Sequence, residues 1–288
     1  MTAVDTITVP ALVHDMSDAE YHADPIPGGS LSSSGARRIL EAPAKFHYDR
    51  THQRHSDDFD FGHVAHKLVL GVGADVVVVD APDWRTKEAK AAKAEARAAG
   101  HSPILARDYE AAVSMDAAVK AHPIAGAVLA KGAPEVSAFW RRGGISMRAR
   151  YDWLTEVSGR PCIVDYKTTT DASNEGFAKQ VANHGYHQQN AWYVDGYKCA
   201  VDPESNPAFL FIAQEKWPPY IVNVIELDPF AVAIGRARNE RAIEVYRRCT
   251  ETGYWPGYSD DIEMISLPRW AEIAHENEIE QSKEETPW

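Results

Sequence analysis

Arg150-Tyr151-Asp152, followed after a short turn by Cys162-Ile163-Val164-Asp165-Tyr166-Lys167-Thr168-Thr169, decides the reading of this chain. The second run reads as a strand, so Asp165 and Lys167, two apart, share a face. Residues 145–157 read as the preceding strand, and Ser158-Gly159-Arg160-Pro161 as the turn between them. With Gly159 and Arg160 as the turn residues, Val157 pairs with Cys162. Asp152 then lies opposite Lys167, with Asp165 as its diagonal neighbour. A slip of one residue would scatter the three over both faces. Two carboxylates and a lysine so placed can share a metal ion and a water.

The chain has 288 residues, 44% hydrophobic and 25% charged, enough for one large α/β domain or two smaller ones. It has no run of roughly eighteen apolar residues, so no membrane span is expected. Met1-Thr2-Ala3-Val4-Asp5-Thr6-Ile7-Thr8 lacks the basic start and apolar core of a secretion signal. Cys162, Cys199 and Cys249 are too few and too far apart for a disulfide framework or a four-thiolate site, and a reducing cytoplasm is expected. A net charge of −12 opposes a nucleic-acid partner at first sight. Residues 259–288, however, carry nine acids against Arg269 and Lys283, a net of −7, which leaves −5 for the rest. Charge therefore neither supports nor excludes DNA.

Residues 1–30, punctuated by Pro and Gly, are expected to form an extended arm. Ser32-Ser33-Ser34 is an N-cap signal for a helix that Pro43 should break. A second helix is expected over 58–70, where Phe59, Val64, Leu68 and Val69 form an imperfect stripe. Residues 76–79 read as a short buried strand, and 86–99 and 108–121 as helices. Residues 135–142, 145–157 and 162–169 then read as an antiparallel three-stranded meander. One helix is expected within 174–201. A strand pair follows across Trp217-Pro218-Pro219, and then a long helix over 228–251 with Pro229 in its first turn. The acidic end should fray. This order implies an α/β fold with a mixed sheet flanked by helices. Its parts are an arm (1–30), a single domain (31–255) and an acidic tail (256–288).

Hydrolysing a phosphodiester requires charge neutralisation at the phosphate and an activated water, and one or two Mg²⁺ ions supply both. Mg²⁺ takes carboxylate and carbonyl oxygens and keeps several waters. Asp152, Asp165 and the backbone carbonyl of Tyr166 would provide the oxygens. Lys167 would orient the water and offset developing charge. The same side chains would also serve as a structural ion pair between neighbouring strands. Ser33, Ser34, Arg37 and Arg38, at a helix N-terminus, can hold an anion or simply cap the helix. Lys87, Lys90, Lys93 and Arg97 form either a solvated helix face or a surface that tracks phosphates. Trp84 and the Arg141-Arg142 hairpin tip could also meet nucleic acid.

Asp152 with Asp165-Tyr166-Lys167 resembles the PD-(D/E)XK nuclease signature, and within it the RecB-like branch and its phage relatives of the RecE (exonuclease eight) type. Gly62-His63-Val64-Ala65-His66 is similar to the G-x-x-x-H element, whose histidine contributes to the metal site in that branch. Glu135 is similar to an acidic position near the same site. Gln189-Asn190-Ala191-Trp192-Tyr193 is similar to the Q-x-x-x-Y element. Taken singly, His66 could be a core histidine, Glu135 a strand-end surface acid, and Tyr193 part of an aromatic core stripe with Tyr186 and Tyr197. In the order found here, over about residues 31–251, they resemble one family. Tyr151 stands where the family name has proline.

The resemblance implies a restriction-endonuclease-like PD-(D/E)XK core. It implies metal ligands His66, Glu135, Asp152, Asp165 and the Tyr166 carbonyl, and catalysis by Asp152, Asp165 and Lys167 with Gln189 and Tyr193. It implies a grip on the DNA 5′-phosphate by Ser33, Ser34, Arg37 and Arg38. Mg²⁺ is the expected cofactor, with Mn²⁺ admitted by the imidazole. The four cysteines of the iron–sulfur relatives are missing, as is a G-x-x-x-x-G-K-[ST] loop, so neither a cluster nor a nucleotide cofactor is expected. The expected activity is metal-dependent 5′→3′ exonuclease action on linear double-stranded DNA, leaving 3′ overhangs for recombination in a bacterial or phage-infected cytoplasm. By resemblance the expected partners are DNA ends, further copies in a ring-shaped homo-oligomer, and a single-strand annealing protein of the RecT type. The alternatives are an endonuclease or a single-strand or flap nuclease of the same fold, and a catalytically silent DNA-binding or assembly subunit.

Overall fold

The computed structural model describes residues 7–52 and 57–284, without the side chains of 57–60 and 283–284. Residues 1–6 of the arm, 285–288 of the tail and the Phe59 side chain thus lie outside the described residues. In chain order the elements are β1 (Ala11–Val13), α1 (Asp18–His22), β2 (Leu31–Ser32), α2 (Ser33–Glu41), α3 (Pro43–Asp49), α4 (Asp57–Leu70), β3 (Val76–Val79), α5 (Lys87–Ala98), β4 (Ser102–Leu105), α6 (Ala106–Ala121) and α7 (Pro123–Leu129). They continue as β5 (Ala133–Arg142), β6 (Ile145–Val157), β7 (Arg160–Thr169), α8 (Asn174–His184), α9 (Tyr186–Ala200), β8 (Ala208–Glu215), β9 (Val222–Ile225), α10 (Pro229–Thr252) and α11 (Arg269–Glu284).

The central sheet runs β1-β5-β6-β7-β8-β9, with β2 pairing β6. β5, β6 and β7 pair antiparallel, β7 and β8 parallel, and β8 and β9 antiparallel, so the sheet is mixed. A parallel pair needs a crossover, and α8 and α9 supply it. Neighbouring strand residues point to opposite faces, so both faces carry a core. On one, Ile163, Phe209 and Phe211 pack with Ile39 of α2, Phe177 of α8, Trp192 of α9 and Tyr246 of α10. On the other, Cys162, Val164, Tyr166 and Ile212 pack with Ala65 of α4, Met115 of α6 and Ala125 of α7. No helix among the described residues is long and apolar enough to cross a membrane.

The β6–β7 turn differs from the expected one. Ser158 and Gly159 are its central residues, at φ of 52° and 79°, and Val157 pairs with Arg160. Positive φ at both central positions gives the twist that matches antiparallel strands, which a turn on Gly159-Arg160 would not. Thr155, not Val157, therefore faces Cys162. The register is shifted by two residues, and a shift of two keeps every side chain on its face.

Other expectations are corrected too. The single helix within 174–201 is two, split at Gly185, whose φ is 66°. A Cβ there would lie 2.5 Å from Cδ of Arg37. Val76–Val79 is not a buried core strand. It pairs in parallel with Ser102–Leu105 in a separate two-stranded sheet, and Val78 is 46% exposed. The arm is not simply extended. Ser17 and Glu20 form a capping box on α1, and β1 pairs with β5. Lys93 is buried over the Trp84 ring at 4.6 Å, so the basic residues of α5 are not one solvated face. The acidic tail is helical over Arg269–Glu284, and the end expected to fray lies outside the described residues from 285 on. Arg269 lies 3.2 Å from Glu272, an i,i+3 pair that supports a helix, and 3.6 Å from Glu276 two turns on. Ile262, Met264, Ile265, Leu267 and Trp270 lie exposed along that tail.

Candidate metal centre

β5 and β6 pair from Ala133↔Leu154 to Arg142↔Ile145, and the one position passed over is Glu135 opposite Asp152. Glu135 has φ of 52°, a conformation uncommon outside glycine. Alternation slips there in both strands. Val136, Ala138 and Trp140 pack on the α9–α10 side, and so does Ala133. Met147, Ala149 and Tyr151 pack on that side, and so does Leu154, while Trp153 packs on the opposite side. Alternation from Val136 and from Tyr151 points both acids away from the α9–α10 side, toward α4, and the slip falls between them and Ala133 and Leu154. His66 of α4 meets them, with Nδ1 3.6 Å from Glu135 Oε1 and Nε2 3.3 Å from Asp152 Oδ2.

The β6–β7 ladder ends at Trp153↔Val164, just before the site. Beyond it, Asp152 Oδ2 accepts the Tyr166 N–H at 3.0 Å, so a side chain takes the place of the ladder bond. Across this opening lies Asp165, which is fully buried. Its Oδ1 accepts from Gln189 Nε2 at 2.5 Å, and its Oδ2 meets the Lys167 ammonium as an ion pair. Lys167 Nζ stands 5.3 Å from the centre of the Tyr186 ring. Arg150, two residues before Asp152, pairs with Glu135 and donates to the Met16 and Ser17 carbonyls at 3.0 and 3.3 Å. Arg150 thus ties the arm to the metal-side carboxylate.

Burial pushes the Asp165 carboxyl up to about 6, with Lys167 opposing and Asp152 adding to the rise. Burial likewise raises Glu135, reinforced by Asp152 and opposed by His66 and Arg150. Burial would raise Asp152 as well, but His66, Lys167 and the Tyr166 N–H outweigh it and hold it below its ordinary value. His66 and Lys167 are each drawn down by burial, and the neighbouring carboxylates outweigh this and raise both.

A divalent cation fits this donor set. His66, Glu135 and Asp152 each offer a ligand atom, all within 4.8 Å of one another. Asp165 Oδ2 is buried, with the Lys167 ammonium as its partner, and is a further oxygen beside that set. Asp152 raises the proton affinity of both Glu135 and Asp165, a repulsion that a shared cation would relieve. An imidazole beside oxygen donors suits Mn²⁺ as well as Mg²⁺.

The structure brings His66, Glu135, Asp152, Asp165, Lys167 and Gln189 together. The Tyr193 ring packs on Tyr151 and Phe209 at 5.4 and 5.9 Å, and burial holds its phenol well above the usual range. Arg37 Nη1 donates to Ser33 Oγ at 3.1 Å, and Asp165 is among the groups whose charge acts on Arg37. Ser32, not Ser33 or Ser34, is the helix cap, accepting from the Gly35 N–H. Ser34 is exposed, with its hydroxyl 3.1 Å from that of Ser32. Arg38 is not gathered with them, being paired with Asp49 and Glu41 at 2.6 Å each. Sequence reasoning missed Arg150 and the contact of Tyr186 with Lys167. Arg150 could have been found from its place on the Asp152 strand. The Tyr186 contact could not, because it depends on the break at Gly185.

Residues 32–268 match the model of a family described as a PDDEXK-like domain of unknown function, DUF3799. The chain belongs to this family. The candidate metal centre is thus that of a PDDEXK-like domain, whose superfamily fold is that of PD-(D/E)XK nucleases. The crystal structure of a candidate exonuclease from Eubacterium rectale superposes on this PDDEXK-like chain with a TM-score of 0.60. The match covers 90% of this chain and 98% of that one, at 12% identity, and shows a shared fold. SSO0001 aligns over 71% of this chain and 90% of its own, with TM-score 0.26 and 12% identity. The Vibrio cholerae protein VC1899 aligns over 78% and 57%, with TM-score 0.23 and 9% identity. Comparison with curated proteins gives no significant match.

Proposed function

We propose that this PDDEXK-like protein is a metal-dependent exodeoxyribonuclease of the RecB-like branch, RecE type, acting on linear double-stranded DNA with Mg²⁺ or Mn²⁺. The observation that carries the reading is the meeting of two half-sites where β6 and β7 part. The His66–Glu135–Asp152 donors lie on one side and the buried Asp165–Lys167 pair on the other. A bound divalent cation would neutralise phosphate charge and lower the pKa of water. His66, Glu135, Asp152 and Asp165 would hold it, with the Tyr166 carbonyl as a further oxygen. Gln189 fixes the Asp165 carboxylate, leaving one oxygen toward Lys167. The Lys167 ammonium offers a charge-assisted donor to a phosphate oxygen or to the attacking water.

Arg37 supports action at an end. It is half-buried, braced by Ser33, and close enough to Asp165 to feel its charge, a place suited to a terminal phosphate. We assign 5′→3′ polarity, with 3′ overhangs as product, to this pairing of Arg37 and Ser33, with Ser34 at the same helix start. A ring-shaped homo-oligomer around DNA and an annealing protein of the RecT type as partner belong to the same reading. The test is digestion of end-labelled linear duplex with 5′-phosphate or 5′-hydroxyl ends, beside closed circular duplex. Loss of label from linear DNA with the circle intact is expected, faster from the 5′-phosphate. Cleavage of the circle would replace the reading with an endonuclease.

A further inference from the structure

Gly185, at φ of 66°, ends α8 and lets α9 begin at Tyr186 in a new direction. The Tyr186 ring then rests on an aromatic wall. It stacks on Phe177 at 5.9 Å and meets Phe211 at 5.7 Å and His184 at 5.4 Å. Phe177 and Phe211 are fully buried, so the ring has little room to turn. Against it lies Lys167 Nζ, 5.3 Å from the ring centre.

We propose that Tyr186 is a positioning residue whose ring face holds the Lys167 ammonium in place while its carboxylate partner is engaged elsewhere. This rests on the nuclease reading above. Among the described residues Lys167 has one carboxylate in contact, Asp165, and that carboxylate is also a proposed cation ligand. A carboxylate shared with a cation attracts an ammonium less strongly. A second acid in its place would repel the substrate phosphate. An aromatic face attracts the ammonium without adding net charge and without competing for the cation. The ring is what acts, and the hydroxyl is not required.

The test uses the full chain and the variants Tyr186→Phe and Tyr186→Leu. In metal-free protein labelled with ¹³C-lysine, the ring should shift the Lys167 ε-methylene protons upfield in wild type and Tyr186→Phe but not in Tyr186→Leu, with Lys167→Arg giving the assignment. With cation and linear duplex, Tyr186→Leu should lose about tenfold in kcat with little change in KM. Tyr186→Phe should recover most of that loss. An unshifted Lys167 in wild type overturns the contact. Wild-type cleavage matched by Tyr186→Leu overturns the proposal while leaving the nuclease reading intact. Absence of any wild-type cleavage overturns the nuclease reading, and the proposal with it, whatever the spectra give. A lowered melting temperature equal in Phe and Leu variants, with equal loss of kcat, would reduce Tyr186 to a packing residue.

Discussion

Gln189 Nε2 donates to Asp165 Oδ1 at 2.5 Å, joining the crossover helix to the strand that carries the buried carboxylate. Without this donor Asp165 keeps Lys167 as its one polar side-chain contact among the described residues, and can rotate. Outer contacts of this kind orient ligands, and their loss costs about 10–100-fold in metal affinity or activity. Gln189→Ala should therefore weaken Mn²⁺ binding within that range in calorimetry, and lower stability by about 1–3 kcal/mol because a buried carboxylate loses its donor. Unchanged affinity would remove Gln189 from the site.

Glu135 gives a second prediction, because its left-handed backbone is strained in any residue with a Cβ. Glu135→Ala and Glu135→Gly both delete the carboxylate and free Arg150, so their difference isolates the backbone. Glu135→Gly should be the more stable by about 1 kcal/mol in urea unfolding, against the ordinary order in a strand, where Gly is worse than Ala. Both should lose metal affinity. A Gly variant less stable than the Ala variant would refute the strain.

Acid should oppose the cation. The Asp165 carboxyl is raised from 3.8 to about 6, so the native metal-free protein holds this proton more tightly than the unfolded chain. Its contribution to stability is complete below the unfolded pKa and is lost as pH rises through about 6. The raised His66 pKa acts in the same direction, because a protonated imidazole cannot bind metal. The rise in melting temperature on adding Mn²⁺ should be small near about pH 5 and grow above about pH 7. A shift independent of pH would contradict this.

Much of the site was legible because its chemistry is local. Asp165-Tyr166-Lys167 reads as one strand, and His66 stands at a recognisable spacing from Gly62. The hairpin turn was misplaced, yet the cluster survived because the error was two residues and the side-chain period is two. The rest depends on what sequence does not carry. The left-handed backbone of Glu135, at the one pair where the β5–β6 ladder is interrupted, has no signal in the hydrophobic pattern. Tyr186 reaches Lys167 because Gly185 breaks a helix, and an isolated glycine inside a helical pattern does not declare itself a break. Ser102–Leu105 was hidden by Pro103 in its middle, and the acidic tail was read by charge when its arginine-to-glutamate spacing was helical.

The most direct test is digestion of end-labelled linear duplex by wild type, Asp165→Ala and Lys167→Ala, each shown to be folded, with Mg²⁺, Mn²⁺ or chelator. Wild type should degrade the DNA only with the cations, and both variants should fall by about a thousandfold or more. Cleavage that persists in chelator, or proceeds normally in either folded variant, would contradict a metal-dependent nuclease centred on Asp165 and Lys167.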